Sequence, residues 1–338
     1  MTEPLLSLRD LSIAYRVGDA DTIAVEGASF DVAPGSIVGL VGESGCGKTT
    51  LARSLTRVLA SNARIAGGQA LLEGQDIMAL PERAMNALRW REIAFIPQSA
   101  MNSLDPVYTV GSQLAEVLIR RGGLGRAAAR KRSEELFEWV GIEANRLVDY
   151  PHQFSGGMRQ RVAIALALAL DPKLIIADEP VTALDVIVQR QILDQLRELK
   201  ERLGISVILV THDISVVAYV CDRVVVMYAG QVVETGPMAV TLTAPAHPYT
   251  MGLRNAFPDL AGAAGVLTPI EGAPPDLAKP PTGCRFAPRC PFGQATCTTL
   301  PPSLTMYETD HLAACHRMHE AHALRAQALA SETWQVSA

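Results

Sequence analysis

The sequence lacks the features that would place this protein in a membrane, outside the cell or on a nucleic acid. Its longest apolar run, Val162 to Leu170, is stopped by Asp171 and Pro172, whereas a membrane-spanning helix needs about 20 apolar residues. No basic stretch followed by an apolar stretch opens the chain, so we expect no secretory signal. The net charge of -5 is not the basic surplus of a nucleic-acid-binding domain. We therefore expect a cytosolic protein that associates with a membrane only through partners.

The most informative segment that is present runs from Gly42 to Thr49. Its sequence, GESGCGKT, fits the phosphate-binding pattern G-x-x-x-x-G-K-[ST]. The pattern predicts a strand before it and a helix after it, so that backbone N–H groups and a helix N-terminus face an anion. Lys48 is expected to reach the β- and γ-phosphates of a nucleotide, and the Thr49 hydroxyl to hold Mg²⁺. The expected nucleotide-binding residues here are Gly42, Ser44, Gly45, Cys46, Gly47, Lys48, Thr49 and Thr50.

Two further segments carry groups suited to the same chemistry. An apolar run predicts a strand that ends in Asp178 and Glu179. Asp178 is suited to hold Mg²⁺, and Glu179 to orient and deprotonate a water aimed at the γ-phosphate. Ser155, Gly156 and Gly157 precede a predicted helix and so form a second anion site at a helix N-terminus. The presence of two phosphate-binding sites in one chain is most simply explained if they bind different nucleotides across a dimer interface.

The hydrophobic pattern changes along the chain. The first 35 residues alternate apolar and polar side chains, which predicts antiparallel strands. From Ser36 onward strands alternate with helices, which is typical of a parallel α/β sheet, and residues 83 to about 140 are predicted to be mostly helical. Beyond Gly236 proline and glycine become frequent, so we expect loops there.

The Ser-Gly-Gly segment ahead of a helix, upstream of a strand that ends in Asp-Glu, resembles the signature motif of ABC-type ATPases. The resemblance implies roles for residues that alone would more often be structural. Tyr15 lies where the family stacks an aromatic ring on adenine, and Thr182–Asp185 resembles the dimer-interface segment, so Asp185 joins the nucleotide-binding set. Gln98 matches the glutamine that touches Mg²⁺ and faces the membrane subunits. His212 matches the histidine that contacts the γ-phosphate.

In such ATPases two subunits close head to tail around two ATP molecules. The resemblance implies that Lys48, Thr49 and Asp178 of one subunit face Ser155 and Gly157 of the other. One departure is Met158, where the family commonly has Gln. The expected catalytic residues are Glu179, His212, Lys48 and Gln98, and the expected Mg²⁺ ligands are Thr49, Gln98 and Asp178.

The implied fold class is α/β: an ABC-type P-loop ATPase with a parallel-sheet core, an antiparallel β subdomain and a helical subdomain. We expect the nucleotide-binding domain at residues 1–236, with its helical subdomain at about 99–165. A small, loop-rich, cysteine-containing C-terminal extension is expected at residues 237–338.

Three other segments point to one group within this family. Ala246–Thr250 (AHPYT), Gly283–Phe292 (GCRFAPRCPF) and Met101–Pro106 (MNSLDP) resemble the ATP-binding subunits of peptide-type importers, the oligopeptide, dipeptide and nickel group. The resemblance implies a second, similar ATPase subunit in a heterodimer, two transmembrane permeases and an extracytoplasmic substrate-binding protein. It also implies a peripheral location on the cytoplasmic face of the inner membrane, with the permease contact near Gln98 to Pro106.

Four of the six cysteines are clustered in the extension, and cytosolic cysteines indicate metal binding or catalysis rather than disulfides. By count alone, four thiolates suit either zinc or an iron–sulfur cluster. Similar importer subunits carry a 4Fe–4S cluster in this tail, so the resemblance favours the cluster over zinc. His311, His316 and His319 are alternative ligands. The four expected cluster ligands are Cys284, Cys290, Cys297 and Cys315.

Two alternatives to peptide uptake remain open at this stage. One is a non-transport ABC ATPase in DNA repair or translation, although the single cassette and the acidic balance disfavour it. The other is an importer of nickel or glutathione, because substrate choice in this group belongs to the binding protein and the permeases.

Overall fold

The computed structural model describes residues 3–98, 103–256 and 268–334. The strands are β1 (Leu6–Val17), β2 (Ala20–Val32), β3 (Ile37–Val41), β4 (Ala63–Leu72), β5 (Gln75–Asp76), β6 (Ile93–Ile96), β7 (Leu174–Asp178), β8 (Ser206–Thr211), β9 (Arg223–Tyr228), β10 (Gln231–Pro237), β11 (Thr305–Glu308) and β12 (His311–Ala313). The helices are α1 (Lys48–Leu55), α2 (Glu82–Leu88), α3 (Val110–Arg120), α4 (Arg126–Trp139), α5 (Gly156–Ala167), α6 (Val186–Leu203), α7 (Ile214–Val220), α8 (Met238–Thr243), α9 (Pro248–Asn255), α10 (Ala295–Thr299) and α11 (Ala321–Ala328).

The chain divides into two compact units. The first comprises Met1–Val32, Ile37–Ala79 and Thr211–Ala338, and the second comprises Ala33–Ser36 and Leu80–Val210. No helix within the described residues is both long and apolar enough to cross a membrane.

The first unit contains an antiparallel sheet with the strand order β2-β1-β4-β5. Leu6 of β1 pairs with Val32 on one side and with Leu72 on the other. Leu6 and Leu8 are buried before an irregularity at Asp10, which has a positive φ of 50°, and Leu11 and Ile13 are buried after it. The predicted antiparallel strands are therefore confirmed by their pairing, and the apolar residues alternate on either side of the irregularity.

The same unit also contains strands in the order β11-β12-β10-β9-β3. β3 and β9 are parallel, whereas β9 and β10 form an antiparallel hairpin whose turn is Ala229-Gly230. The C-terminal extension packs on this hairpin, since Tyr228, Tyr249 and Phe286 belong to one buried cluster. Residues from both sides of position 236 therefore share a hydrophobic core.

The second unit combines three parallel strands with the helices α2 to α6. β7 lies between β6 and β8 and is buried along its whole length. The structure confirms that residues 83 to about 140 are mostly helical, through α2, α3 and α4, with the exception of β6, where four apolar residues form a strand. A segment of four apolar residues is too short to show a period that distinguishes a strand from a helix. Its conformation is decided by parallel pairing with β7. α6 begins after the cap Asp185 and ends at the left-handed Gly204, residue types that favour these two positions.

Candidate functional site

The segment Gly42–Thr49 connects β3 to α1, which confirms the predicted strand, loop and helix. Two of its positions accept only glycine. A Cβ atom on Gly42 would lie 2.1 Å from the carbonyl oxygen of Met227, and one on Gly47 would lie 2.6 Å from that of Ala24. Gly47 also has a left-handed φ of 100°, which L side chains rarely adopt. The backbone of the loop is therefore pressed against neighbouring main chain and keeps its N–H groups near the helix N-terminus.

Lys48 lies inside this loop and is nearly fully buried. Its Nζ donates hydrogen bonds to the carbonyl oxygens of Gly42 (2.7 Å) and Glu43 (2.8 Å). Ser44 and Gly45 form the exposed rim, whereas Cys46 is buried and burial raises the pKa of its thiol. Cys46 is thus a neutral packing group, while the Lys48 ammonium supplies positive charge in the concavity of the loop.

Tyr15 and Thr50 lie next to each other in the first unit. The Tyr15 hydroxyl and Thr50 Oγ1 are 3.1 Å apart and share a hydrogen bond. The Tyr15 ring is half-buried on β1, so part of its surface stays accessible to a planar ligand. His212 follows β8, is exposed and belongs to this unit as well.

The predicted carboxylates lie at the end of β7 in the second unit. Asp178 is fully buried as the last residue of the strand. Glu179 has a left-handed φ of 48°, a conformation that costs free energy for any residue with a Cβ atom. Its Oε2 accepts hydrogen bonds from Gln98 Nε2 (2.6 Å) and Thr182 Oγ1 (3.1 Å). The structure thus brings the predicted base Glu179 and the predicted Gln98 together, although 81 residues separate them.

The Ser-Gly-Gly segment and the Thr182–Asp185 segment lead into neighbouring helices. Ser155 caps α5 and accepts from the N–H of Met158, and Asp185 caps α6 and accepts from that of Val188. A Cβ atom on Gly157 would lie 2.5 Å from Val188 Cγ1, so the two first turns are in contact. Ser155 and Asp185 are exposed. This face of the second unit therefore presents two helix N-termini to solvent.

Two large apolar side chains are exposed beside these helix N-termini. Val186 is 79% exposed and Ile187 is 71% exposed. These two adjacent aliphatic side chains add apolar surface beside the polar caps of α5 and α6.

The four clustered cysteines of the extension line one cavity of about 20 Å³, together with His247 and His316. Burial raises the pKa of Cys290 to about 12 and that of Cys315 to about 11, with smaller contributions from the neighbouring cysteines. Among residues 3–98, 103–256 and 268–334, no three His, Cys, Asp or Glu side chains are arranged as ligands of a metal ion. The thiols thus surround a common space without converging on one point.

The three histidines that were considered as alternative ligands have other contacts. His311 Nε2 lies 2.7 Å from Glu234 Oε1, both fully buried. His316 Nε2 hydrogen-bonds to the carbonyl oxygen of Leu300, and His319 lies beside Glu320. Burial lowers the pKa of His247 to about 3, so this imidazole is neutral and its Nδ1 accepts from the N–H of Tyr249.

Sequence patterns assigned no role at the phosphate loop to Glu43 or to the two residues that contact it, Tyr249 and Arg289. Glu43 occupies a variable position of the loop pattern, yet its N–H donates to the Tyr249 hydroxyl and its carboxylate pairs with Arg289. Tyr249 and Arg289 belong to the AHPYT and GCRFAPRCPF segments. Those segments were the only available signal, because such long-range contacts leave no periodic pattern.

Comparison with known proteins agrees with the site. The ABC transporter family profile matches residues 25–182, and the profile of the oligopeptide/dipeptide transporter C-terminal region matches residues 233–297. The oligopeptide transport ATP-binding protein OppD of Salmonella typhimurium is 45% identical over 315 residues, which cover 93% of each chain. The dipeptide transport ATP-binding protein DppD of Bacillus subtilis is 43% identical over 93% of this chain and 94% of its own.

The chain belongs to the ATP-binding proteins of oligopeptide and dipeptide ABC transporters. It is therefore an ATPase subunit of a peptide-type importer, which confirms the predicted family and activity. Among solved structures, a dimeric post-hydrolysis state of the ATP-binding cassette MJ0796, bound to ADP and Pi, matches with a TM-score of 0.62 and 28% identity. That match covers 69% of this chain and 98% of the other and supports the predicted ABC ATPase fold.

Proposed function

We propose that this subunit hydrolyses ATP at the interface of a head-to-tail dimer of ATP-binding subunits and thereby drives peptide uptake through two permeases. The observation that carries the proposal is the exposed face formed by the first turns of α5 and α6. Ser155 and Asp185 cap these adjacent helices, with Val186 and Ile187 exposed beside them. A helix N-terminus attracts phosphate oxygens, so this face is suited to cover the ATP held by the loop of a partner subunit.

Each remaining site residue has a role that its surroundings support. Lys48, already held within the loop, binds the β- and γ-phosphates, and Tyr15 stacks on the adenine. Glu179 takes the proton of the water that attacks the γ-phosphate. Gln98 and Thr182 orient this carboxylate, because both donate hydrogen bonds to it. His212 contacts the γ-phosphate.

Magnesium is the second cofactor of the proposal. Thr49, Gln98 and Asp178 offer a hydroxyl, an amide and a carboxylate oxygen, the ligand types that Mg²⁺ accepts. Mg²⁺ usually keeps several waters and binds through one or two carboxylates together with the substrate phosphates. These residues therefore fit the ion, which would neutralise charge on the γ-phosphate during transfer.

The proposed partners are a second homologous ATPase subunit, two permeases and an extracytoplasmic peptide-binding protein, with the subunit on the cytoplasmic face of the membrane. A groove in the second unit is suited to a short permease helix. Its cavity of about 660 Å³ lies among α3, α4 and residues 144–148, with Ile119 and Val148 in its lining. The permease contact expected near Gln98 to Pro106 lies partly outside the described residues.

We further propose that the four cysteines hold a 4Fe–4S cluster that stabilises the extension. All four cysteines line one small cavity, and four thiolates are a ligand set that such a cluster accepts. A cluster distributes its thiolates over four irons, so its ligands need not converge on a single point as those of zinc do.

The Glu179→Gln variant tests the proposed hydrolysis site. Because an amide cannot take the proton, we expect ATP turnover to fall by a factor of about 100 or more. ATP binding should persist, so ATP should hold the variant as a dimer with its homologous partner in light-scattering measurements. Wild-type turnover in this variant would refute the role of Glu179. Turnover loss without an ATP-dependent dimer would refute the proposed interface.

A further inference from the structure

Glu43 is the only acidic residue of the phosphate loop. Residues of the C-terminal extension form hydrogen bonds with both its backbone and its side chain. The N–H of Glu43 donates to the hydroxyl oxygen of Tyr249 at 2.9 Å. Arg289 Nη1 donates to both carboxylate oxygens of Glu43, at 2.8 and 3.1 Å. These two contacts bridge 206 and 246 residues of sequence, all within the first unit.

Arg289 is itself firmly positioned. Its side chain is 7% exposed. Nε donates to the carbonyl oxygen of Glu271, Nη2 to that of Ile270 and Nη1 also to the hydroxyl of Tyr228. A guanidinium whose donors are directed in a fixed fork keeps its orientation better than a lysine ammonium would.

Tyr249 is held by the AHPYT segment. The buried Glu234 carboxylate accepts from the backbone N–H groups of Ala246 and His247, which fixes the start of α9. His247 then caps the helix by accepting from the N–H of Tyr249. The Tyr249 ring packs against Tyr228 and Phe286, with centroids 4.6 and 5.4 Å away. Its hydroxyl is thus directed at the loop by a rigid support.

A second arginine of the cysteine segment reaches the same region. Arg285, directly after Cys284, pairs with Glu26 and donates to the carbonyl oxygen of Ala229. Gly230, which follows Ala229 in the β9–β10 turn, donates its N–H to the carbonyl oxygen of Cys46 in the phosphate loop. The extension therefore supports the loop at Glu43 directly and at Cys46 through the β9–β10 turn.

We propose that Tyr249 and Arg289 are positioning residues for nucleotide binding. Tyr249 fixes the backbone of the loop at Glu43, and Arg289 neutralises the one carboxylate that would otherwise repel the phosphates. The inference rests on the proposed binding of ATP by this loop. The inference gives two segments of the C-terminal extension a role in ATP binding, because their residues complete the phosphate site.

The experiment measures Mg-ATP and Mg-ADP dissociation constants of the full chain by calorimetry. We expect Arg289→Ala to weaken ATP binding by about tenfold, or roughly 1.4 kcal/mol. Removing the repelling carboxylate as well, in Glu43→Gln/Arg289→Ala, should bring the constant back to within about threefold of wild type. Tyr249→Phe should weaken binding by about threefold to tenfold, because it removes the hydroxyl that accepts from the loop.

Arg223→Ala is the matched control. Arg223 also joins the core to the extension, through an ion pair with Asp310, but it does not contact the loop. Because Asp310 is exposed, breaking this ion pair should lower the melting temperature by at most about 2 °C and leave the dissociation constants unchanged. If Arg289→Ala does not fold, the uncharged but polar Arg289→Gln and Tyr249→Phe carry the same test.

Two results would overturn the inference: equal dissociation constants in Arg289→Ala and wild type, or no recovery in the double variant. Failure of the wild-type protein to bind ATP would instead refute the proposed function itself.

Discussion

The phosphate loop offers a comparison between two glycines that share a positive φ but differ in the space beside the position of a Cβ atom. Gly45 and Gly47 both have a positive φ, 79° and 100°. A Cβ atom on Gly45 would meet nothing within 4 Å, whereas one on Gly47 would lie 2.6 Å from the carbonyl oxygen of Ala24 and 3.1 Å from Val25 Cγ2. Alanine at position 45 thus adds backbone strain alone, and alanine at position 47 adds strain together with steric overlap.

The magnitudes follow from these contacts. A left-handed conformation costs an L residue about 1–2 kcal/mol, which is the expected destabilisation for Gly45→Ala. Overpacking against a neighbour that cannot withdraw adds about 1–3 kcal/mol, so Gly47→Ala should lose about 2–5 kcal/mol. The carbonyl of Ala24 belongs to β2 and cannot rotate away as a flexible side chain could.

Thermal unfolding without nucleotide measures the difference. At roughly 2 °C per kcal/mol for a chain of this size, Gly45→Ala should lower Tm by about 2–4 °C and Gly47→Ala by about 4–10 °C. Calorimetry should show the larger loss of ATP affinity in Gly47→Ala, since its loop must move. Equal Tm values for the two variants would refute the close approach of the loop to β2.

Three further outcomes are expected. Lys48→Ala should weaken ATP binding by about 100-fold or more in calorimetry, since the loop loses its only cation; affinity within about threefold of wild type would contradict the assignment. Ile119→Glu should abolish co-purification with the permeases while ATP binding persists, and Val17→Glu, at a more exposed aliphatic residue of the first unit, should leave co-purification intact. Iron and sulfide analysis of anaerobically purified protein should detect a cluster that Cys290→Ser removes, and zinc without iron would contradict it.

The local parts of the fold could be predicted from the sequence because residues close together in the chain determine them. Asp185 as cap and Gly204 as left-handed terminus define α6, and the apolar–polar alternation at Leu6–Leu8 and at Leu11–Ile13 indicates the extended strand β1. β6 could not be predicted, since four apolar residues carry no usable period and the strand exists because β7 lies beside it. In the extension, the hairpin of β11 and β12 likewise depends on pairing with β10.

The sequence by itself determined the phosphate loop, because its glycines, lysine and threonine are contiguous and the backbone geometry of an anion site requires them in that order. Only the tertiary structure decided what supports it. Tyr249 and Arg289 meet Glu43 across more than 200 residues, and Gln98 meets Glu179 across 81. Such contacts arise from the packing of buried aromatic and aliphatic side chains, which brings together segments that no local pattern relates.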